Sequence, residues 1–217
     1  MPQYNCVSYD NTATFTANDT GATDSASQTI TVCGPVKTGA LTIGFWQNKN
    51  GQAIITGQAT AGLCPSTTWL RQYAPFQDLS ETATCAKVGA YATSVIKAAN
   101  ASGAAMNAML KAQMLPLRWM STSATQHWGN KIGAPAPLGG VAIDLTLICT
   151  PVGTCATYAD VSSAFGGATG LTASQMLAYA ASQSNAGGSV WYGQVKSVQE
   201  LAKNAFDAIN NEKAFAQ

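Results

Sequence analysis

The hydrophobic period of this 217-residue chain shifts from two to mainly helical near residue 34, and that change limits the architectures open to it. Asn11–Cys33, NTATFTANDTGATDSASQTITVC, alternates with period two in two runs, Thr12–Ala17 and Ser27–Cys33, around a polar stretch holding Asn18, Asp19, Gly21 and Asp24. Successive side chains of a strand point to opposite faces, so alternation broken by turn formers predicts a β-hairpin. Beyond the linker CGPVKTG the spacing becomes helical. Ala86–Ala99 places Val88, Tyr91, Ala92, Val95, Ile96 and Ala99 on one face, and Ser102–Met114 does the same with Met106, Met109, Leu110 and Met114. Thr172 and Gln175 form a capping box that starts a helix to about Ser182, and Val190–Asn211 carries a stripe of Val195, Val198, Leu201, Ala202, Ala205, Phe206 and Ile209. Asn50–Thr56 and Ser66–Tyr73 read as short helices, Ala40–Trp46 and Val141–Cys149 as strands. The expected fold is mainly α with a small β component (α+β): a hairpin unit over residues 1–34 and a mostly helical unit over 35–217. A lone hairpin is marginal in water. This one is therefore expected to pair with Val141–Cys149 or with the hairpin of a neighbouring molecule, a route to self-association.

Six cysteines fall as three sequence-local couples: Cys6 with Cys33, Cys64 with Cys85, Cys149 with Cys155. None forms a CxxC, and one histidine does not complete a Cys/His zinc site, so the expected use is disulfides in an oxidising compartment. Six cysteines allow 15 pairings, of which the local one is preferred. Charged residues make up 10% of the chain, against the usual quarter or so, leaving solubility to Thr, Ser, Asn, Gln and Gly. With a net charge of +1 and no basic run, nucleic acid and anionic membranes are not expected partners. No apolar run approaches the roughly 18 residues of a membrane span. Met1-Pro2-Gln3-Tyr4 has neither the basic nor the apolar region of a signal peptide, so an extracellular or cell-surface body is expected as a fragment with an added Met.

Chemistry-bearing patterns are sparse. AFGGATG lacks the order of a dinucleotide loop, no HExxH or GxSxG occurs, and Asp19 and Asp24 are too few ligands for calcium; no cofactor and no metal are expected. The catalytic candidates are Asp78 with Glu81, a near pair of carboxylates of the type used in glycoside hydrolysis, and His127, the sole histidine, whose imidazole titrates near 6.5. Asp78 and Glu81 also suit the N-terminal end of the helix that follows. Hydroxyls beside His127 (Ser121, Thr122, Ser123, Thr125) are ordinary in so Thr/Ser-rich a chain. Methionine and aromatic stripes at helical spacing read as core.

GFWQNKNGQ, Gly44–Gln52, is the most distinctive motif. It resembles the opening of a family of secreted bacterial domains with a G-[YF]-W-x-N signature, often GYWKNH, which often follow immunoglobulin-like repeats. MLKAQML, GNKIGAPAPLGGVAIDLTLIC, SAFGG, LTASQMLAYAASQSN and VWYGQVKSVQELAKNAFDAINN are similar to the same family, and the first 33 residues resemble the last hairpin of an immunoglobulin-like domain. The family has no settled activity. Where its signature has a histidine this chain has Lys49, so no role passes to that position. Trp46 suits stacking on a sugar ring with Gln47 and Asn48 as hydrogen-bonding groups, or else burial as an anchor of the turn. From Pro116 to Trp128 the sequence departs from the family pattern in the manner of two compensating frame changes, which predicts an irregular excursion beginning at Pro116. The expected function is a non-enzymatic secreted or cell-surface module, carbohydrate- or cell-wall-binding or structural. The alternative is a secreted hydrolase, an esterase or glycosidase, of the kind an activity screen of environmental DNA recovers.

Overall fold

Strands β1 (Tyr4–Thr16) and β2 (Thr23–Pro35) pair antiparallel along their whole length, from Tyr4 opposite Pro35 to Thr16 opposite Thr23. The link between them is closed by Ala17 N donating to Ala22 O and by Gly21 N donating to Ala17 O, each at 2.8 Å. Gly21 takes φ 69°, a left-handed value that costs glycine little. This computed structural model describes residues 4–35, 40–58, 67–121 and 138–214. The chain divides into two units, Pro2–Val36 and Lys37–Ala216. β2 runs past its alternating segment at both ends and β1 past the start of its own, because Ser, Thr and Asn continue the ladder as well as apolar residues do. β1 and β2 form a two-stranded sheet, and the expected Val141–Cys149 strand pairs within its own unit instead.

The second unit is built on helices. Short α1 (Ile43–Gln47), α2 (Lys49–Ile55) and α3 (Thr67–Leu70) precede three longer ones, α4 (Cys85–Asn100), α5 (Met106–Met120) and, near the C-terminus, α7 (Lys196–Asn210). Thr84 caps α4, its hydroxyl accepting from Lys87 N. α5 packs against both α4 and α7, and every residue from Leu110 to Met120 is buried, so this helix is the axis of the unit. Trp46, Phe76, Ile96, Met114, Trp119, Met176, Trp191 and Phe206 lie in one core around it. Among the described residues the remaining strands are three residues each: β3 (Ala142–Asp144) pairs β6 (Gly170–Thr172), and β4 (Ile148–Thr150) pairs β5 (Thr157–Ala159). Helix α6 (Ala173–Ser182) starts on the expected capping box, with Gln175 N donating to Thr172 Oγ1 and Thr172 N to Gln175 Oε1. Among the described residues no helix is long and apolar enough to cross a membrane. The unit is mainly α with a small β component, as the periodicity implied.

Four local expectations are corrected. Ala40–Trp46 is not a strand: from Ile43 the chain turns helical, which brings Ile43 and Trp46 to the same side, where a strand would point them apart. Pro116 does not end its helix. It forfeits one backbone donor at a cost of about 3 kcal/mol in an isolated helix, yet the turns around it are enclosed on all sides and the helix continues to Met120. The excursion expected from Pro116 therefore does not begin there; residues 122–128, with His127 and Trp128, lie outside the described residues. Val141–Cys149 is two strands, because Asp144 Oδ1 accepts from both Thr146 N (2.9 Å) and Thr146 Oγ1 (2.7 Å), folding a turn in mid-segment. Finally, α7 begins at Lys196, after Tyr192, Gly193 and Gln194 adopt φ of 50°, 57° and 66°, and Val195 is exposed.

Candidate functional site

The GFWQNKNG motif is a corner between two helices. Asn48 ends α1 and caps α2, its Oδ1 accepting from Asn50 N at 2.9 Å and Gly51 N at 3.1 Å. Gln52 Nε2 reaches back to Trp46 O at 2.8 Å. Gly51 lies against the preceding turn so closely that a Cβ there would stand 2.6 Å from Trp46 Cα and closer still to Phe45 O. Trp46 is fully buried, its ring centroid 4.8 Å from that of Trp119, with Phe45 edge-on at 5.4 Å. Of the three candidate binding residues, Trp46 is an internal anchor and the Asn48 side chain serves its own backbone; Gln47 is exposed.

Asp78 and Glu81 are drawn into separate ion pairs. Glu81 Oε1 accepts from Arg71 Nη2 at 2.8 Å on the surface, while Arg71 Nη1 donates to the carbonyls of Gln77 and Leu79. Asp78 is the hub of a clamp the sequence did not suggest. Its Oδ1 accepts from Tyr91 Oη at 2.6 Å, and its Oδ2 from Lys111 Nζ at 2.7 Å. Lys111 Nζ also donates to Gly187 O at 2.8 Å and stands 5.3 Å from the Tyr91 ring centroid. The clamp thus joins the segment after Phe76, α4, α5 and the loop after α6. Gly187 and Gly188 take φ of 84° and 71°, and a Cβ on Gly188 would stand 3.2 Å from Lys111 Cδ, so this loop needs glycine to reach the ammonium. Burial pushes the Lys111 ammonium below its ordinary pKa against the opposing pull of Asp78. Burial, then the hydrogen bond and charge of Asp78, push the Tyr91 hydroxyl well above its own. Tyr91 therefore holds its proton and donates it, and the carboxylate spends an oxygen on each neighbour. Nor do Asp78 and Glu81 charge the N-terminus of α4, whose first turn contains no acidic residue.

A second missed cation is Arg118. Its guanidinium carbon lies 3.8 Å from the Trp69 ring centroid and 4.5 Å from that of Tyr73. Nη2 donates to Trp69 O at 3.0 Å and Gln72 Oε1 at 2.8 Å, and burial lowers its pKa. Amides stitch α5 to α7: Asn210 Nδ2 donates to Gln113 O and Oε1, both at 2.8 Å, and Gln113 Nε2 to Asp207 Oδ1 at 3.0 Å. A proximity signal was present for none of these, since Lys111 lies 33 residues from Asp78 and Asn210 lies 97 from Gln113.

Cys149 and Cys155 are bonded, Cα to Cα 4.8 Å. Cys85 is also in a disulfide; Cys64 lies outside the described residues. Cys6 stands opposite Cys33 in the backbone register. His127 lies outside the described residues. Among those described, no group of three or more His, Cys, Asp or Glu is placed to hold a metal ion. Compared with known proteins, the chain matches no family model, no curated protein and no solved structure. The class is defined by the fold itself: a mainly helical α+β unit with a β-hairpin unit ahead of it.

Proposed function

We propose that this chain is a non-enzymatic secreted or cell-surface module that binds polysaccharide or another cell-wall component, or serves as a structural piece beside one. The observation that carries the reading is how the described candidates for chemistry are used. Asp78 and Glu81 are consumed by different cations, and Asn48 caps a helix. Such groups hold a scaffold together; a general base needs a free lone pair, and a general acid a transferable proton, facing substrate. The Cys149–Cys155 bond and the low charge suit an oxidising, extracellular setting. The exposed hydroxyls and amides, together with the resemblance of the GFWQN corner to secreted modules, favour a polyhydroxylated ligand over an ionic one.

The test uses the full chain with its disulfides intact, mixed in parallel with insoluble cellulose, chitin and peptidoglycan and with chromogenic ester and glycoside substrates. Retention on one matrix with turnover at buffer background supports the reading. Turnover that disappears in Asp78→Asn or His127→Ala, with circular dichroism unchanged, replaces it with a hydrolase.

A further inference from the structure

The register of the hairpin sorts its residues into two unlike faces. One is a ladder of hydroxyls and one acid: Ser8 Oγ meets Thr31 Oγ1 at 3.0 Å, Thr29 Oγ1 donates to Asp10 Oδ1 at 2.7 Å, and Thr12 Oγ1 meets Ser27 Oγ at 2.9 Å, with Thr14–Ser25 and Thr16–Thr23 completing it. The other face carries, rung by rung, Tyr9–Ile30, Asn11–Gln28, Ala13–Ala26 and Phe15–Asp24. Tyr9, Phe15 and Ile30 are exposed at 60%, 67% and 52%. A two-stranded ribbon with a bare apolar face is marginal in water, and large exposed apolar side chains in a row mark an interaction surface.

The order of the rungs specifies the occupant. Two copies of this face, stacked with their tips pointing opposite ways about a two-fold axis through the Asn11–Gln28 rung, are complementary. Tyr9 and Ile30 then meet Ala13 and Ala26 of the second copy, large on small. The amides of Asn11 and Gln28 meet their own equivalents on the axis, where each can donate to the other. Asp24, the sole charge on the face, falls at opposite ends, with its two copies about 27 Å apart at roughly 3.4 Å per residue, well beyond the screening length of about 8 Å. Stacked tip to tip, the same faces would set Tyr9 on Ile30, leave a gap over the alanines and bring the Asp24 carboxylates together. We infer that the Tyr9–Phe15–Ile30 face is an isologous interface through which a second copy of this chain docks with antiparallel hairpins. The ribbon face measures roughly 44 by 10 Å, so the pair would bury on the order of 900 Å², at the weak end of specific interfaces; the dimer is concentration-dependent. This inference is independent of the ligand proposed above.

Sedimentation velocity on the full chain, from low micromolar to a few hundred micromolar, is the test. The wild type should shift from monomer to dimer in that range. Ala13→Tyr with Ala26→Ile sets large on large and should weaken association about tenfold or more, since overfilling a packed contact is destabilising. Adding Tyr9→Ala and Ile30→Ala inverts the pattern, keeps it complementary and should restore association to within about threefold. Thr12→Arg with Thr14→Arg, on the hydroxyl face, should change nothing. Far-UV circular dichroism and intact-mass counting of disulfides confirm that each variant is folded. A wild type that stays monomeric throughout, a fourfold variant that does not recover, or loss of association in the hydroxyl-face variant would each overturn the inference.

Discussion

Replacing Gly51 by Ala sets two effects of opposite sign against each other. Inside a helix Ala is favoured over Gly by about 1 kcal/mol, so propensity alone says that α2 gains. Geometry says otherwise. The added Cβ would stand 2.6 Å from Trp46 Cα, and Phe45 O would be nearer still. Carbon atoms in contact sit about 3.5–4.0 Å apart, so α1 must retreat by about 1 Å, and backbone atoms have no rotamer to escape into. The retreat is resisted twice: Trp46 is wedged against Trp119, and Gln52 Nε2 is bonded to Trp46 O. Overpacking costs about 1–3 kcal/mol in well-packed cores and more where backbone is the obstacle. Setting about 3 kcal/mol of strain against about 1 of propensity leaves a loss near 2 kcal/mol, or about 4–8 °C in Tm for a unit of this size. Thermal and urea unfolding followed by tryptophan fluorescence measures it. Asn48→Ala, which orphans two amide donors without a clash, should cost about 1 kcal/mol and calibrates the scale. A Gly51→Ala protein as stable as wild type, or more so, would mean that the two short helices are not locked as described.

The clamp predicts an asymmetry. Asp78→Asn strands the mostly enclosed Lys111 ammonium and should cost about 1–2 kcal/mol, whereas Lys111→Met leaves a half-exposed carboxylate to water and should cost less than about 1; equal losses in urea unfolding would refute it. Because the folded-state pKa of Tyr91 lies above its unfolded value near 10, its contribution is complete below about pH 10 and is lost as pH rises further, so Tyr91→Phe should flatten the alkaline fall of the urea midpoint. Lys111 has the opposite sign: its folded pKa lies below the unfolded value near 10.5, so rising pH towards that value relieves a cost, and Lys111→Met should remove that gain. Cys149→Ala with Cys155→Ala opens a loop of sequence separation 6 and should cost about 2 kcal/mol in thermal unfolding.

Where the sequence was readable, the stabilising forces were local. The capping box at Thr172 and Gln175 depends on atoms three residues apart, and the stripe of α4 depends on one face meeting one core. The hairpin was legible for the same reason, since alternation and turn chemistry are properties of neighbouring residues. The misreadings share the opposite cause. Pro116 breaks a helix whose other bonds are in water, but within α5 the surroundings hold the backbone whatever one missing donor costs. Leu41, Ile43 and Phe45 alternate like a strand, yet the burial of Trp46 against Trp119, 73 positions further along the sequence, decided in favour of a helical turn.

The site was less legible than the fold, because proximity in sequence misled about proximity of charge. Asp78 and Glu81 look like a carboxylate pair until the cations arrive: Arg71 from the turn after α3 for Glu81, Lys111 from the central helix for Asp78. Nothing in the spacing of Lys111 marks it, since it occupies a helix position that reads as one more solvated lysine. What identifies it is the pair of glycines at Gly187 and Gly188, whose left-handed backbone lets a carbonyl approach the ammonium from a loop 76 residues away. In a chain with 11 cations and 10 anions, each buried charge must find a partner from a short supply. Among the described residues Arg118 pairs with no acid and lies between two aromatic rings, an amide and a carbonyl. A guanidinium held by neutral groups depends on its planar shape, so Arg118→Lys, which keeps the charge and loses the fork and the stacking, should destabilise by about 1–2 kcal/mol. Arg118→Met, which removes the buried charge, should cost no more than Arg118→Lys. Urea unfolding of the two variants side by side decides it: if Lys were tolerated and Met were not, charge rather than shape would be what that slot requires.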